Sequence, residues 1–130
     1  MVTLTEVHQL NERADFQYVA SELVKYYGLK TKVKFSSGAG IRGHYIPEKD
    51  TMFIRPSYPT VKEFIISVLH EIKHALDAKK MGKRTYSKRY DQAGTMAVHQ
   101  GRDPYWDNKW EIRAERWGQN EYRKFWKNKF

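Results

Sequence analysis

The sequence contains no cysteine, and this absence excludes several kinds of site. A disulfide framework, a thiolate zinc site and a cysteine nucleophile are all ruled out, so any zinc must be held by nitrogen and oxygen ligands. No apolar run approaches the length that a bilayer requires, and Met1–Leu10 lacks the basic and apolar regions of a signal peptide. We therefore expect an intracellular, cytoplasmic protein without covalent cross-links.

Acidic residues are scarce relative to basic ones. The chain has 15 Asp and Glu against 24 Lys and Arg, which gives a formal net charge of +9. A charge of this size raises nucleic acid, or another anionic surface, as a partner. Because the basic residues are spread along the chain, a solvated basic surface is the simpler interpretation.

Length and hydrophobic patterning predict one α+β domain over residues 1–130. Helical periodicity predicts a first helix from Asn11 to Tyr27, ended by Gly28. Three strands separated by turn residues are then predicted at Thr31–Phe35, Arg42–Ile46 and Thr51–Arg55. Since short connections favour antiparallel pairing, we expect a small antiparallel three-stranded sheet, with Thr51–Arg55 as the edge offered to an extended peptide.

A second helix is predicted from Thr60 to about Lys80, with Thr60 and Glu63 forming a capping box and Gly82 ending the helix. It contains the pattern H-E-x-x-H, His70-Glu71-Ile72-Lys73-His74. Two histidines four residues apart share one helix face, so both imidazoles can bind one tetrahedral cation. Glu71 then lies close enough to a metal-bound water to accept its proton, as the base of a metal-assisted hydrolysis.

A catalytic zinc site needs one more protein ligand. The extended metzincin pattern requires Gly at 77 and His at 80, and the chain has Asp77 and Lys80, so that pattern is excluded. The remaining sources of a ligand lie downstream. There the signal for a helix over Tyr86–Gln100 is weak, whereas a later helix is clear.

This later helix starts near Asp103-Pro104 or Asp107-Asn108 and runs toward Phe125. Glu111 and Glu115 are one turn apart on one of its faces, beside the small residues Ala114 and Gly118, which permit close packing on the second helix. Taken alone, the two glutamates would be solvated partners of Lys or Arg. Beside H-E-x-x-H, Glu111 becomes the candidate third ligand, with Glu115 accepting a hydrogen bond from a ligand imidazole.

The order of these elements resembles the gluzincin class of zinc metallopeptidases. The resemblance covers about Phe16 to Gly118 and depends on Leu69–Leu76 and Asp103–Ala114. Within the class, the chain is most similar to small peptidase-like domains of phages and mobile elements and, distantly, to ImmA/IrrE-type regulators. The resemblance implies a minimal zincin-like fold, Zn²⁺ on His70, His74 and Glu111, and Glu71 as general base in peptide-bond hydrolysis. It also implies a side-chain donor for the oxyanion, and the candidates are Tyr86, Tyr90, His99 and Tyr105.

A second hypothesis is a non-catalytic binding module. In this case any zinc is structural, and the basic surface engages nucleic acid or a viral protein assembly. Nucleic-acid binding that depends on salt and survives chelation would favour it. Among the other histidines, His8, His44 and His99, only His99 is held in reserve as a ligand if Glu111 proves wrong.

Overall fold

Helices and a small sheet make up the structure, a computed structural model that describes residues 16–130. Residues 16–26 form helix α1, so the predicted helix residues 11–15 lie outside the described range. The elements that follow are β1 (Lys32–Phe35), β2 (His44–Ile46), β3 (Thr51–Ile54), α2 (Val61–Met81), α3 (Lys83–His99) and α4 (Lys109–Glu121), continued by a π-helical turn at Tyr122–Trp126. The class is α+β, as predicted. Within the described residues, no helix combines the length and apolarity needed to cross a membrane.

The strands form a mixed sheet in the order β1-β3-β2. β2 and β3 pair antiparallel as predicted, but β1 runs parallel to β3, so the all-antiparallel prediction is wrong. The connection 36–43 crosses the end of the sheet and places β2 one strand position away from β1. β2 then carries the chain back along the sheet, and β3 fills the position between β1 and β2. Asp50 supports this arrangement, because its carboxylate accepts hydrogen bonds from the Thr31 and Tyr45 hydroxyls, each at 2.8 Å. β3 is consequently central, and the edge predicted at Thr51–Arg55 does not exist.

β2 is shorter than predicted because Gly43 interrupts the extended backbone. Gly43 has φ +77°, and a Cβ atom there would lie 2.2 Å from the carbonyl oxygen of Phe53. Only glycine tolerates both the conformation and the approach. Arg42 is therefore left in the loop before β2, from which it reaches α2 and α4.

The main core lies between α1, α2 and one sheet face. The strand register places Val33 and Tyr45 beside Met52, and Phe35 beside Ile54, so these side chains share that face. The opposing helix residues are buried in the same cluster: Phe16, Val19, Ala20, Leu23, Phe64, Ile65, Val68, Leu69 and Ile72. Burial of this apolar surface fixes α2 against the sheet.

Helix α2 has the boundaries expected from its sequence. The Thr60 side chain accepts a hydrogen bond from the Glu63 amide at 3.1 Å, and Gly82 follows the last turn. Its apolar arc is buried, but so is the opposite side, where Ser67, His70, Glu71 and His74 lie. α3 and α4 pack over that side, so the polar residues of α2 are enclosed.

Helix α4 begins at Lys109, which selects the later of its two predicted starts. The Asn108 side chain caps it by accepting a hydrogen bond from the Trp110 amide at 2.9 Å. The same side chain donates to the Tyr90 carbonyl at 3.1 Å. This second bond ties the start of α4 to α3 and places Glu111 three residues beyond the junction at Asn108.

Candidate metal centre

Close packing of α4 on α2 brings the predicted ligands together. Ala114 is fully buried at this contact. A Cβ atom added to Gly118 would lie 3.3 Å from the His70 amide nitrogen and 3.4 Å from the Ile66 carbonyl oxygen. The small residues therefore do what the sequence predicts and let the two backbones approach.

His70, His74 and Glu111 meet at one point between these helices. Oε1 of Glu111 lies 2.7 Å from Nε2 of His70 and 2.8 Å from Nε2 of His74. Both imidazoles are almost completely buried, and Glu111 is 7% exposed. Two ring nitrogens and a carboxylate oxygen thus point at a common centre, the donor set that a catalytic zinc ion takes.

The hydrogen bonds define different protonation states for the two histidines. Nδ1 of His70 lies 3.0 Å from Oε1 of Glu115, so both ring nitrogens of His70 face carboxylates. Burial opposes charge on His70, but its hydrogen bonds with Glu111 and Glu115 outweigh burial and raise its pKa to about 9. His74 instead accepts a hydrogen bond from the Tyr86 hydroxyl at Nδ1, and burial lowers the pKa of His74. Because the ionised Glu111 carboxylate can only accept, neutral His74 is assigned the tautomer with its proton on Nε2, and Nδ1 accepts from the Tyr86 hydroxyl.

Glu111 is held as a carboxylate. Burial alone would raise its pKa, but hydrogen bonds from His70 and His74, and a further one donated by Tyr90 to Oε2, hold the pKa well below its ordinary value. A carboxylate that is already ionised in a buried site is prepared to bind a cation. A metal would replace the protons on Nε2 of the two histidines.

Glu115 orients His70, and Arg42 orients Glu115. The Arg42 guanidinium donates to Oε1 of Glu115 at 2.9 Å and to Oε2 at 3.2 Å, and it also donates to Glu63 at 2.7 Å. Burial alone would raise the pKa of Glu115, but the hydrogen bonds from His70 and Arg42 outweigh burial and hold this pKa well below its usual range. The sequence predicted the role of Glu115 but gave no sign of Arg42, a lone arginine in a glycine-rich loop.

Glu71 is the least satisfied group in the site. It is 1% exposed, and its Oε1 has no hydrogen-bond partner among the described residues. Burial raises its pKa well above the ordinary value. A buried carboxyl oxygen without a partner is rare in native proteins and indicates a site built for another group, such as a ligand or a proton in transfer.

The donor set fits a metal ion with two possible carboxylate partners. One nitrogen from each histidine and one oxygen of Glu71 lie within 4.8 Å of one another, so Glu71 is within reach of the centre as well as Glu111. Glu111 contacts both nitrogens directly, whereas Glu71 does not hydrogen-bond with either. Either carboxylate is therefore placed to share a metal ion with the two histidines.

The remaining predicted residues divide between the site and its surroundings. Tyr86 and Tyr90 contact His74 and Glu111, respectively. His99 is exposed at the end of α3, and the cavity that it lines contains none of the proposed ligands. His44 stacks on Phe53 with ring centroids 4.7 Å apart, and His8 lies outside the described residues.

Two cavities reach the centre. One, of about 370 Å³, borders His70 and Glu115 and has Trp106 and Ile112 in its wall. The other, of about 410 Å³, borders His74. Glu111 and Tyr105 line both, so a molecule entering either cavity meets the proposed third ligand.

No protein-family model, curated protein or solved structure matches the chain. A proposal of function therefore depends on the chemistry of the chain's own residues.

Proposed function

We propose that the chain is a zinc-dependent metallopeptidase, with His70, His74 and Glu111 as ligands and Glu71 as general base. One observation carries the proposal: both Nε2 atoms converge on Oε1 of Glu111. Beside them lies the buried Glu71 carboxyl, whose Oε1 has no hydrogen-bond partner within residues 16–130. Two histidines and one carboxylate also suit ferrous iron. The buried base favours a hydrolytic zinc site, because hydrolysis requires a proton acceptor next to the metal.

The zinc ion would lower the pKa of a water and polarise the substrate carbonyl. Glu71 accepts the proton of that water and later delivers it to the leaving amine. Burial raises its pKa, and a carboxylate with a raised pKa is a stronger base toward that water.

Outer residues keep the two imidazoles in place. Glu115 accepts from Nδ1 of His70, and Tyr86 donates to Nδ1 of His74, so Nε2 of each ring faces Glu111. Arg42 fixes Glu115 through two nitrogens. Such partners orient ligands and tune their basicity.

Tyr105 is the best candidate for the donor to the oxyanion. The Tyr86 and Tyr90 hydroxyls are bound to His74 and Glu111, whereas the Tyr105 hydroxyl has no hydrogen-bond partner in the described part of the chain. Burial and the negative charges of Glu111, Glu71 and Glu115 raise its pKa, which keeps its proton in place. It lines both cavities at the centre.

The edge of β2 supports a peptide as the substrate. Among the described residues β2 pairs only with β3, and His44–Ile46 line the cavity next to His74. An extended peptide can add to such an edge through backbone hydrogen bonds. Its carbonyl would then pass the metal centre.

Metal content and peptide cleavage test the proposal together. Purified protein is expected to hold about one zinc per chain, and His70→Ala, His74→Ala and Glu111→Ala are each expected to lose it. Glu71→Gln should retain zinc but lose cleavage of a fluorogenic peptide library by a factor of about 10² or more. Unchanged zinc affinity in Glu111→Ala would remove Glu111 as a ligand. Glu71-independent cleavage, or none by the zinc-loaded protein, would contradict the peptidase assignment.

Tyr105→Phe should lower kcat by about 10²-fold with little change in KM, because it removes a donor used only in the transition state. The control is Tyr18→Phe, at a tyrosine that is 62% exposed on α1 and should leave kcat unchanged. Zinc content should be equal in both variants. An undiminished kcat for Tyr105→Phe would exclude the role.

A further inference from the structure

The cavity beside His74 lies between β2, the turn that follows it and α3. Its volume is about 410 Å³, and its inner wall includes His74 and Glu111. The space is large enough for a long side chain. Any side chain bound here would lie next to the bond presented to the metal centre.

This cavity is acidic although the chain carries a formal charge of +9. Its lining includes Glu48, Asp91 and Glu111, but no lysine or arginine. Glu48 and Asp91 are exposed at the surface, and in the described part of the chain neither forms an ion pair. Glu48 accepts one hydrogen bond, from the Ser87 hydroxyl at 3.1 Å. Both carboxylates therefore keep acceptor capacity for a cation.

The other walls are aromatic. Tyr45, Tyr86, Tyr90 and Tyr105 line the cavity, and the rings of Tyr86 and Tyr90 lie 6.1 Å apart. The hydroxyls of Tyr45, Tyr86 and Tyr90 are already hydrogen-bonded to Asp50, His74 and Glu111. The rings supply apolar surface for an aliphatic stem and π-faces for a cationic head.

We propose that this cavity binds a lysine or arginine side chain of a basic peptide that lies along β2, next to the bond that is cleaved. The inference rests on the proposed peptidase function. Three features of the cavity agree on this occupant: the carboxylates of Glu48 and Asp91, which have no cationic partner among the described residues, the tyrosine walls, and a strand edge that can hold the peptide backbone. A substrate of this kind is a basic segment of another protein.

Binding to the zinc-loaded Glu71→Gln protein tests the inference without requiring turnover. The probes are fluorescein-labelled decapeptides that differ only at one central residue: arginine, its neutral isostere citrulline, or glutamate. The arginine peptide should bind about tenfold or more tightly than the citrulline peptide, and the glutamate peptide most weakly. Adding Glu48→Gln and Asp91→Asn to this protein should bring the arginine-to-citrulline ratio close to one.

A matched control separates this cavity from general charge effects. Glu22 is a half-buried glutamate of α1 that is not part of the cavity, so Glu22→Gln should leave the arginine preference intact. Equal binding of the arginine and citrulline peptides, no binding of either, or a preference that survives loss of Glu48 and Asp91 would overturn the inference.

The two proposals can fail separately. If the wild type cleaves peptides without regard to arginine, the peptidase assignment holds and the basic subsite is wrong. If arginine-dependent binding requires Glu48 and Asp91 but the zinc-loaded wild type cleaves nothing, the subsite holds and the peptidase assignment is wrong.

Discussion

Four buried ionisable side chains share the centre of this molecule, and each is satisfied to a different degree. Glu111 accepts bonds from three donors, whereas Oε1 of Glu71 has no partner in the described part of the chain. His70 is stabilised as a cation and His74 as a neutral ring. A buried oxygen without a partner costs stability, and the proposed role of Glu71 as a general base is a reason for keeping it.

Glu71→Gln should therefore stabilise the metal-free protein. Burial raises the pKa of Glu71, so the folded state holds this proton to higher pH than the unfolded chain does. Wild-type stability then falls as pH rises above the unfolded value of about 4.5, and glutamine removes this loss. At pH 7 the gain should be on the order of 1 kcal/mol or more, and it should vanish below pH 4.5, near the unfolded pKa.

Urea unfolding of chelator-treated protein across this pH range measures the effect. Glu22→Gln makes the same substitution at a position on α1 that is only half-buried, and it should show no such gain. A destabilised Glu71→Gln protein would mean that Glu71 is a structural residue.

The junction of α2 and α4 is the element on which the site depends. His70 and His74 lie on one helix and Glu111 and Glu115 on the other, so their separation is set by the distance between the helix axes. Ala114 and Gly118 set that distance, and Arg42 links Glu63 of α2 to Glu115 of α4. Movement of α4 by less than the width of a methyl group would alter the ligand geometry.

Gly118→Leu should separate the helices and cost about 1–3 kcal/mol, because its side chain would overpack against the His70 and Ile66 backbone. The same separation should move Glu111 away from the two histidines and weaken zinc binding. Gly94→Ala is the matched control in α3, since its Cβ would have no neighbour closer than 3.5 Å. That change should stabilise the protein by about 0.5–1 kcal/mol through helix propensity.

Chemical unfolding and zinc titration of both variants would check this contrast. Normal zinc affinity in a destabilised Gly118→Leu protein would show that the helix separation does not control the site.

For the whole molecule, the proposed ligands join the helix at the centre of the fold to the last long helix. A metal that binds only the folded state stabilises it by mass action. Zinc at about 100 times its Kd should add about 2.7 kcal/mol and raise Tm by on the order of 10 °C. Chelation should reverse the shift.

Thermal unfolding with and without zinc measures this linkage. Glu111→Ala should abolish the shift, whereas Tyr18→Phe should retain it. An equal shift in Glu111→Ala would place the metal elsewhere.

The sequence by itself determined the parts of this protein that follow local rules. The cap at Thr60, the end at Gly82, and the pairing of His70 with His74 on one helix face depend on residues within a few positions of one another. The contacts of Glu111 and Glu115 with His70 could also be predicted, because the spacing of the two glutamates and the small residues beside them indicate a packed helix face.

Only the tertiary structure decided the features that depend on distant chain segments. The parallel pairing of β1 with β3 follows from the path of the loop 36–43, which leaves a strand position free between β1 and β2, and no local pattern specifies that path. The same loop places Arg42 against Glu115, 73 residues away. The unpartnered oxygen of Glu71 likewise exists only after α3 and α4 exclude water from α2, so its raised pKa is a property of the packing and not of the H-E-x-x-H pattern.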